Sequence, residues 1–357
     1  MAATEVLLMK TLPDPRAYTP FSSNPLVVAA ERAAKAGSAL QQQDAGGLLL
    51  SRLREALDAG NDARIEEALA EATSRSVRET ITCALEAVLD ARDEAGLVTR
   101  VFAIPLLIVT GGRGLAVVPG VVPDVGELQN LFEKHGALGQ SKNFGLGNAL
   151  TTAERLAAVK PGMLYRLTRG LGQAGFRAPD LAPQDIELDS GEERVHLRFL
   201  AGAAVTPANA PGFTETAGNI GAWGLPFTLA LAEQLGQEGL SLLPIPRPPM
   251  NPQRALEAGR FALREMQFQL FLSNALRRFR ARVGDPDATV ASYSDGSVRI
   301  SLGSPFDASL ACEYRWPLYP EDDLGAVGTS IFGLLADCRV ETVQVAETVW
   351  LAKAASH

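Results

Sequence analysis

Apolar residues recur at helical spacing between positions 48 and 95. They are Leu49, Leu53, Leu57, Ile65 and Leu69, interrupted at Gly60, and then Val77, Ile81, Leu85 and Val88. Ser76 followed by Glu79 matches a capping box for the later helix, and Gly96 is a suitable stop. The pattern predicts a helical pair over residues 48–95.

The residues before this pair are interrupted by proline. Pro13, Pro15, Pro20 and Pro25 prevent long regular structure in the first part of the chain. A short helix is predicted over residues 26–36, followed by a polar loop over residues 37–47. We interpret residues 1–47 as an N-terminal arm, either loose or laid across a neighbour.

Two further stretches after the helical pair have a distinct pattern. Residues 98–118 are apolar at almost every position and are split by Gly111-Gly112-Arg113-Gly114, which predicts a buried β-hairpin covered on both faces. Residues 136–147 are rich in glycine and predict an irregular loop.

A similar order of elements is predicted twice in the second half of the chain. Residues 185–245 and residues 289–351 are each predicted to have the same order: a strand, a turn with Asp and Gly, a strand, a helix and a strand. The repetition fits either an old duplication of a ββαβ unit or two ordinary α+β segments that look alike.

A long helix is predicted over residues 253–283, between a proline-rich connector and Gly284-Asp285-Pro286. Its apolar residues form two stripes, which indicates a helix packed on two sides, between two domains or against another chain. The broad stripe is Phe261, Phe268, Phe271, Leu272, Ala275, Leu276 and Phe279, and the narrow one is Leu256, Leu263, Met266 and Leu270.

These patterns together predict an α+β protein. It has an N-terminal helical pair, then two mixed units with ββαβ-like order, joined by the long central helix. The predicted divisions are the arm at 1–47, an α+β domain with the helical pair at 48–250, and the long helix plus a second α+β unit at 251–357.

Composition and charge narrow the functional classes. The chain has 357 residues, and the apolar fraction of 46% is typical of a globular protein. The net charge of −8 disfavours nucleic-acid binding. Three distant cysteines without a CxxC pair predict reduced thiols and a cytoplasmic location. Arg113 and the glycines beside it argue against a membrane span over the apolar stretch.

The sequence contains no recognisable catalytic or metal-binding pattern. The three histidines, His135, His196 and His357, are not paired at ligand spacing, and no HExxH, GxSxG, Walker A or GxGxxG motif is present. We therefore predict no catalytic residue, no metal and no cofactor, and we favour a non-enzymatic role.

Four arginines form the edge between the two stripes of the long helix: Arg260, Arg264, Arg278 and Arg282. One interpretation is that their stems cover apolar surface while their heads pair with acidic residues. The other is a groove for an acidic partner or a phosphate-bearing ligand. Arg277 and Arg280 lie off this edge.

The expected function is a structural, adaptor or assembly component that works through protein–protein contacts, with a protein partner or as a homo-oligomer. The alternative is an enzyme or binding protein for an anionic small molecule that uses the arginines of the long helix.

Overall fold

A computed structural model of the chain has an α+β architecture with ten helices and eleven strands among the residues it describes. The described residues are 23–72, 74–92, 96–112, 116–141, 143–174, 181–188, 193–208 and 220–346. No helix among them is both long enough and apolar enough to cross a membrane.

The helices and strands are labelled in chain order. The helices are α1 (Pro25–Ala34), α2 (Ala39–Asp58), α3 (Asp62–Glu71), α4 (Arg75–Leu89), α5 (Val125–His135), α6 (Ala153–Ala157), α7 (Pro161–Ala174), α8 (Ile220–Leu235), α9 (Pro252–Arg280) and α10 (Leu324–Asp337). The strands are β1 (Ala91–Arg92), β2 (Leu97–Gly112), β3 (Ala116–Val118), β4 (Asn143–Thr151), β5 (Ile186–Leu188), β6 (Arg194–Pro207), β7 (Leu240–Pro246), β8 (Asp287–Tyr293), β9 (Ser297–Gly303), β10 (Cys312–Pro317) and β11 (Val343–Val345).

The chain divides into two compact units. Among the described residues, those up to Leu263 form the N-terminal unit and those from Arg264 form the C-terminal unit. The division falls inside α9, after the proline-rich connector at which the sequence pattern placed it. The predicted bounds at 47/48 and 250/251 stay predictions.

The N-terminal unit is built on a five-stranded sheet in the order β1-β2-β6-β4, with β7 also paired to β2. The two faces of β2 pack into different cores. Phe102, Ile104 and Leu106 lie in a core with α5 and α8, whereas Val101 lies in a core formed mainly by α1–α4 and α7. Both faces of β2 are therefore apolar because each face packs into a core.

Two strand predictions in this unit are wrong. Residues 97–112 form one strand, not the first arm of a hairpin, and β3 pairs with β5 instead of β2. The predicted glycine-rich loop over residues 136–147 gives way to β4 from Asn143. Both errors have the same cause, because glycine marks a turn only where no partner strand satisfies the backbone, and here β6 and β7 do so.

Most of the described part of the region predicted as an arm is helical. Residues 1–22 lie outside the described residues, while α1 confirms the predicted short helix. The predicted loop over 37–47 is wrong because α2 begins at Ala39 and continues into the apolar repeat at Leu49. Packing of that apolar face, with Leu26 and Val27 of α1 fully buried nearby, outweighs the cost of Gly46 and Gly47 in the helix.

The C-terminal unit contains a four-stranded sheet in the order β10-β9-β8-β11. Strands β8, β9 and β10 are antiparallel neighbours, and β11 returns beside β8 in parallel orientation after α10. In the segment 185–245, by contrast, β5 pairs with β3, and β6 and β7 both pair with β2. The two segments share an order of elements but not a pairing of strands; the predicted turn at residues 189–192 lies outside the described residues.

Replacing Gly202 with Ala is expected to lower the stability of the N-terminal unit by about 1–3 kcal/mol, the usual cost of overpacking a core. A Cβ at this position of β6 would lie 2.4 Å from Cζ of the buried Phe102 and 2.8 Å from the backbone oxygen of Gly145. Denaturant unfolding measures the change. Gly111→Ala in β2 is the control, because its nearest neighbour would be Glu193 Cγ at 3.4 Å, and equal losses in both variants would contradict the steric argument.

Candidate functional site

The long helix α9 carries the arginines that the sequence singled out. It spans 29 residues, close to the predicted range, and in the C-terminal unit the core of its broad apolar stripe is buried. Phe268, Leu272, Ala275 and Phe279 each have 0% exposed surface. The narrow stripe is less buried, since Met266 and Leu270 are partly exposed.

Arg264 is an internal structural residue of the C-terminal unit. Its guanidinium is 2% exposed and forms a two-point ion pair with Asp322, in which Nη2 donates to Oδ1 at 2.6 Å and Nη1 to Oδ2. Nη1 also donates to the Pro317 carbonyl at 2.6 Å, and the guanidinium lies 4.8 Å from the centre of the Tyr319 ring. The geometry of this site matches the first interpretation of the arginines, a head paired with an acid.

The surroundings of the other three predicted arginines differ from those of Arg264. Arg260 is half-buried in the N-terminal unit. There the pKa of the Glu154 carboxyl is lowered by hydrogen bonds from its own backbone and from Thr152, with a smaller contribution from the charge of Arg260. Arg282 is exposed, with Nη1 3.7 Å from Asp307 Oδ2. Arg278 is exposed as well. Burial raises the pKa of the Cys312 thiol, and the positive charge of Arg278 lowers that pKa by a smaller amount.

A groove lies beside the end of α9 in the C-terminal unit, with a volume of about 780 Å³. We call it the arginine groove, and its lining residues are Gln269, Ser273, Leu276, Arg277, Arg280, Asp285, Asp337, Cys338 and Arg339. Residues of α9 supply one wall, and the turn after α10 supplies the other.

The three arginines of the groove differ in their hydrogen-bond partners. Arg280 donates from Nε to Asp285 Oδ1 at 2.6 Å and from Nη2 to the Cys338 carbonyl at 2.7 Å, which holds its side chain across the end of α10. The side chains of Arg277 and Arg339 have no hydrogen bond or ion pair with any residue that the structure describes. Two guanidinium groups in the groove therefore have donors to offer to a ligand.

Arg339 occupies a backbone position that normally favours glycine. Its φ is +62°, the left-handed region, and it follows the C-terminus of α10. The Val340 amide donates to the Leu335 carbonyl at 3.0 Å and the Arg339 amide to the Ala336 carbonyl at 2.9 Å, as in a Schellman cap. A non-glycine residue costs about 1–2 kcal/mol in this conformation. The chain thus retains an arginine where glycine would stabilise the cap.

The described residues contain no group of three His, Cys, Asp or Glu side chains placed to hold a metal ion. Burial raises the pKa of each of the thiols Cys83, Cys312 and Cys338.

None of the four arginines that the sequence singled out is among the residues that line this groove. Sequence reasoning placed Arg277 and Arg280 off the edge of the helix, and it did not single out Arg339 at all. The available signal was the density of positive charge, since positions 277–282 contain four arginines and no acidic residue. Arg339 lies far along the chain, and only the folding of α10 against α9 brings it to the groove.

Comparisons with protein-family models, with curated protein sequences and with solved structures found no match for this chain.

Proposed function

We propose that the protein is a non-enzymatic adaptor that binds an acidic segment of a protein partner in the arginine groove. The observation that carries the proposal is that Arg277 and Arg339 face this groove without a side-chain partner among the described residues. Guanidinium groups form paired hydrogen bonds with carboxylates, and such bonds are stronger than those between neutral groups.

The shape of the groove favours an extended partner. Most of its lining side chains are exposed, with Leu276 buried and Cys338 half-buried. A site for a small molecule encloses most of its ligand and is lined mainly by apolar groups. An open groove with charged walls instead resembles the polar rim of a protein interface.

The charges of the groove explain why the partner should be acidic. Arg280 is neutralised by Asp285, so the net charge of the groove comes from Arg277 and Arg339 against Asp337. Arg278 adds an exposed positive charge nearby on the same helix end. This local excess stands on a chain with a net charge of −8, so it attracts acidic groups that the rest of the surface repels.

A second candidate function is the binding of an anionic small molecule. Its support is the volume of the groove, about 780 Å³, which lies within the usual range of roughly 300–1,000 Å³ for ligand sites. The cytoplasmic location and the homo-oligomer suggested by the sequence stay predictions.

Fluorescence anisotropy with a labelled peptide of alternating Glu and Gly tests the proposal against its Gln analogue. The acidic peptide should bind and the Gln analogue should not, and binding should weaken as salt is raised because the charges are exposed. Arg277→Gln should weaken binding about tenfold, the loss of one charged contact. Arg339→Gly should weaken it similarly while raising the Tm, because glycine removes the strain of the positive φ.

Arg315→Gln provides the matched control. It makes the same change of charge in the same unit, but its Nη2 lies 3.3 Å from Asp295 Oδ2 and it does not line the groove. An equal loss in this variant would mean that only net charge matters, and the proposal would be wrong. If inorganic phosphate or citrate binds at Arg277 while the peptide does not, the small-molecule alternative is correct.

A further inference from the structure

A second cavity lies in the N-terminal unit, between the helices α3, α4, α6 and α7 and the start of α9. Its volume is about 190 Å³. Its lining residues are Glu66, Leu69, Leu85, Leu89, Leu156, Ala157, Val159, Lys160, Pro161, Leu164, Asn251, Pro252, Gln253 and Leu256. We call it the leucine cavity, and it shares no lining residue with the arginine groove.

The floor of the leucine cavity is apolar and lies in the interior. Leu85, Leu89, Leu156, Leu164 and Leu256 line it, and each has 8% or less of its surface exposed. Leucine side chains that line an empty space lose the dispersion contacts that close packing would supply. An apolar molecule that fills the space would restore those contacts. Its transfer from water to the apolar cavity is also favourable.

Polar groups are confined to the rim. Lys160 and Glu66 form a close ion pair between their side chains, which joins the start of α7 to α3. Asn251 caps α9, because its Oδ1 accepts a hydrogen bond from the Gln253 amide at 2.9 Å. The Gln253 side chain donates from Nε2 to Glu257 Oε1 at 3.2 Å. The rim therefore offers both hydrogen-bond donors and acceptors, with its two charges already paired.

We propose that the leucine cavity binds a small uncharged molecule with one apolar ring and one hydrogen-bonding group, such as a phenol. An apolar cavity of about 150 Å³ in another protein accepts benzene, so about 190 Å³ has room for one ring with a small substituent. The ring lies among the leucines and the polar group reaches the rim. An ion is disfavoured, because it would lose its water beside the apolar floor while the two rim charges already pair with each other.

Nuclear magnetic resonance of the leucine methyl groups in the full chain tests the site, with phenol, benzene and benzoate as probes. Phenol should bind saturably, benzene more weakly because it leaves the rim unused, and benzoate weakest because of its charge. The shifts should concentrate at Leu85, Leu164 and Leu256. Leu128 and Leu231, which belong to the other core of the same unit, should not shift.

Val159→Phe should block the site, since Val159 is half-buried in the cavity wall and a phenyl group would occupy the space. Phenol affinity should fall about tenfold or more. Val117→Phe is the control, because Val117 is 46% exposed and outside the wall, and its phenol affinity should be unchanged.

Three results would overturn the inference. The first is wild-type protein that does not bind phenol, and the second is methyl shifts that avoid the cavity leucines. The third is benzoate that binds as tightly as phenol, because the site would then not select uncharged molecules. The methyl shifts are measured on the wild type, so they decide the question even if Val159→Phe does not fold. All of these outcomes are independent of peptide binding at the arginine groove.

Discussion

Replacing Asp322 with Asn is expected to lower the free energy of unfolding of the C-terminal unit by about 3–5 kcal/mol. The substitution keeps the size of the side chain but leaves the Arg264 guanidinium charged and 2% exposed, without the carboxylate that neutralises it. Asp322 also accepts a hydrogen bond from the Tyr319 amide at 2.7 Å, which an amide oxygen can retain. Guanidinium chloride unfolding, followed by tryptophan fluorescence, measures the loss.

The size of this effect depends on burial, and a matched pair in the same unit tests that dependence. Asp285→Asn breaks the pair with Arg280. The Asp285 side chain is 53% exposed and the Arg280 side chain is 45% exposed. Exposed pairs contribute about 0–1 kcal/mol, so this variant should be nearly as stable as the wild type. If Asp322→Asn costs no more than Asp285→Asn, the buried pair contributes little to the fold.

A double replacement separates the value of the pair from the cost of breaking it. Arg264→Met with Asp322→Leu removes both charges and fills the site with apolar atoms. Replacement of a buried ion pair by apolar residues is often neutral or stabilising by about 1–4 kcal/mol. The double variant should therefore regain most of the stability that Asp322→Asn loses.

Replacing Phe268 with Asp is expected to abolish the folded structure of the C-terminal unit. The ring has 0% exposed surface, and its centre lies 5.1 Å from that of Tyr314 and 6.1 Å from that of Trp316. Removing a buried phenylalanine side chain alone costs about 3–5 kcal/mol, and burying an unpaired carboxylate adds several more. The sum approaches the total stability of a typical domain, about 5–15 kcal/mol.

Circular dichroism and thermal unfolding measure this loss, with Gln267→Asp as the control. Gln267 is the preceding residue of α9 and is exposed, so the same new charge there should change stability by less than about 1 kcal/mol. Phe268→Ala should lie between the two. A Phe268→Asp protein that stays folded at wild-type stability would show that the broad apolar stripe of α9 does not form a core.

The helices were the part of the fold that could be predicted most closely. The helix expected between the last two strands of the segment 185–245 is present as α8, and the long helix was placed within a few residues at each end. Apolar spacing and the flanking Pro and Gly residues are local, so they act within the helix itself. The capping residue of α4 was missed by two positions, since Ser74 and not Ser76 accepts the hydrogen bond from Val77.

The strands were predicted less well because their partners are distant. The pattern correctly identified apolar residues in β2 and the alternation in β6, but it could not show that β2 pairs with β6 and β7. Strand β6 lies about 100 residues further along the chain than β2, and β7 lies about 140 residues further. Gly145 resembled part of a loop because nothing near it in sequence reveals that it pairs with Ala203 of β6.

The same distinction applies to the candidate site. Four arginines on one edge of the helix looked equivalent, yet the fold buries Arg264 against Asp322 and leaves Arg278 exposed. Arg277, placed off the edge by helical geometry, faces a groove that Arg339 completes.

The sequence by itself determined the α+β class, the extent of α9 and the positive charge at its end, because periodicity and charge density are properties of neighbouring residues. Only the tertiary structure decided which strands pair, which arginine is neutralised and which two remain available in a groove. Those outcomes depend on contacts between residues far apart in the chain, and such contacts leave no periodic signal in the sequence.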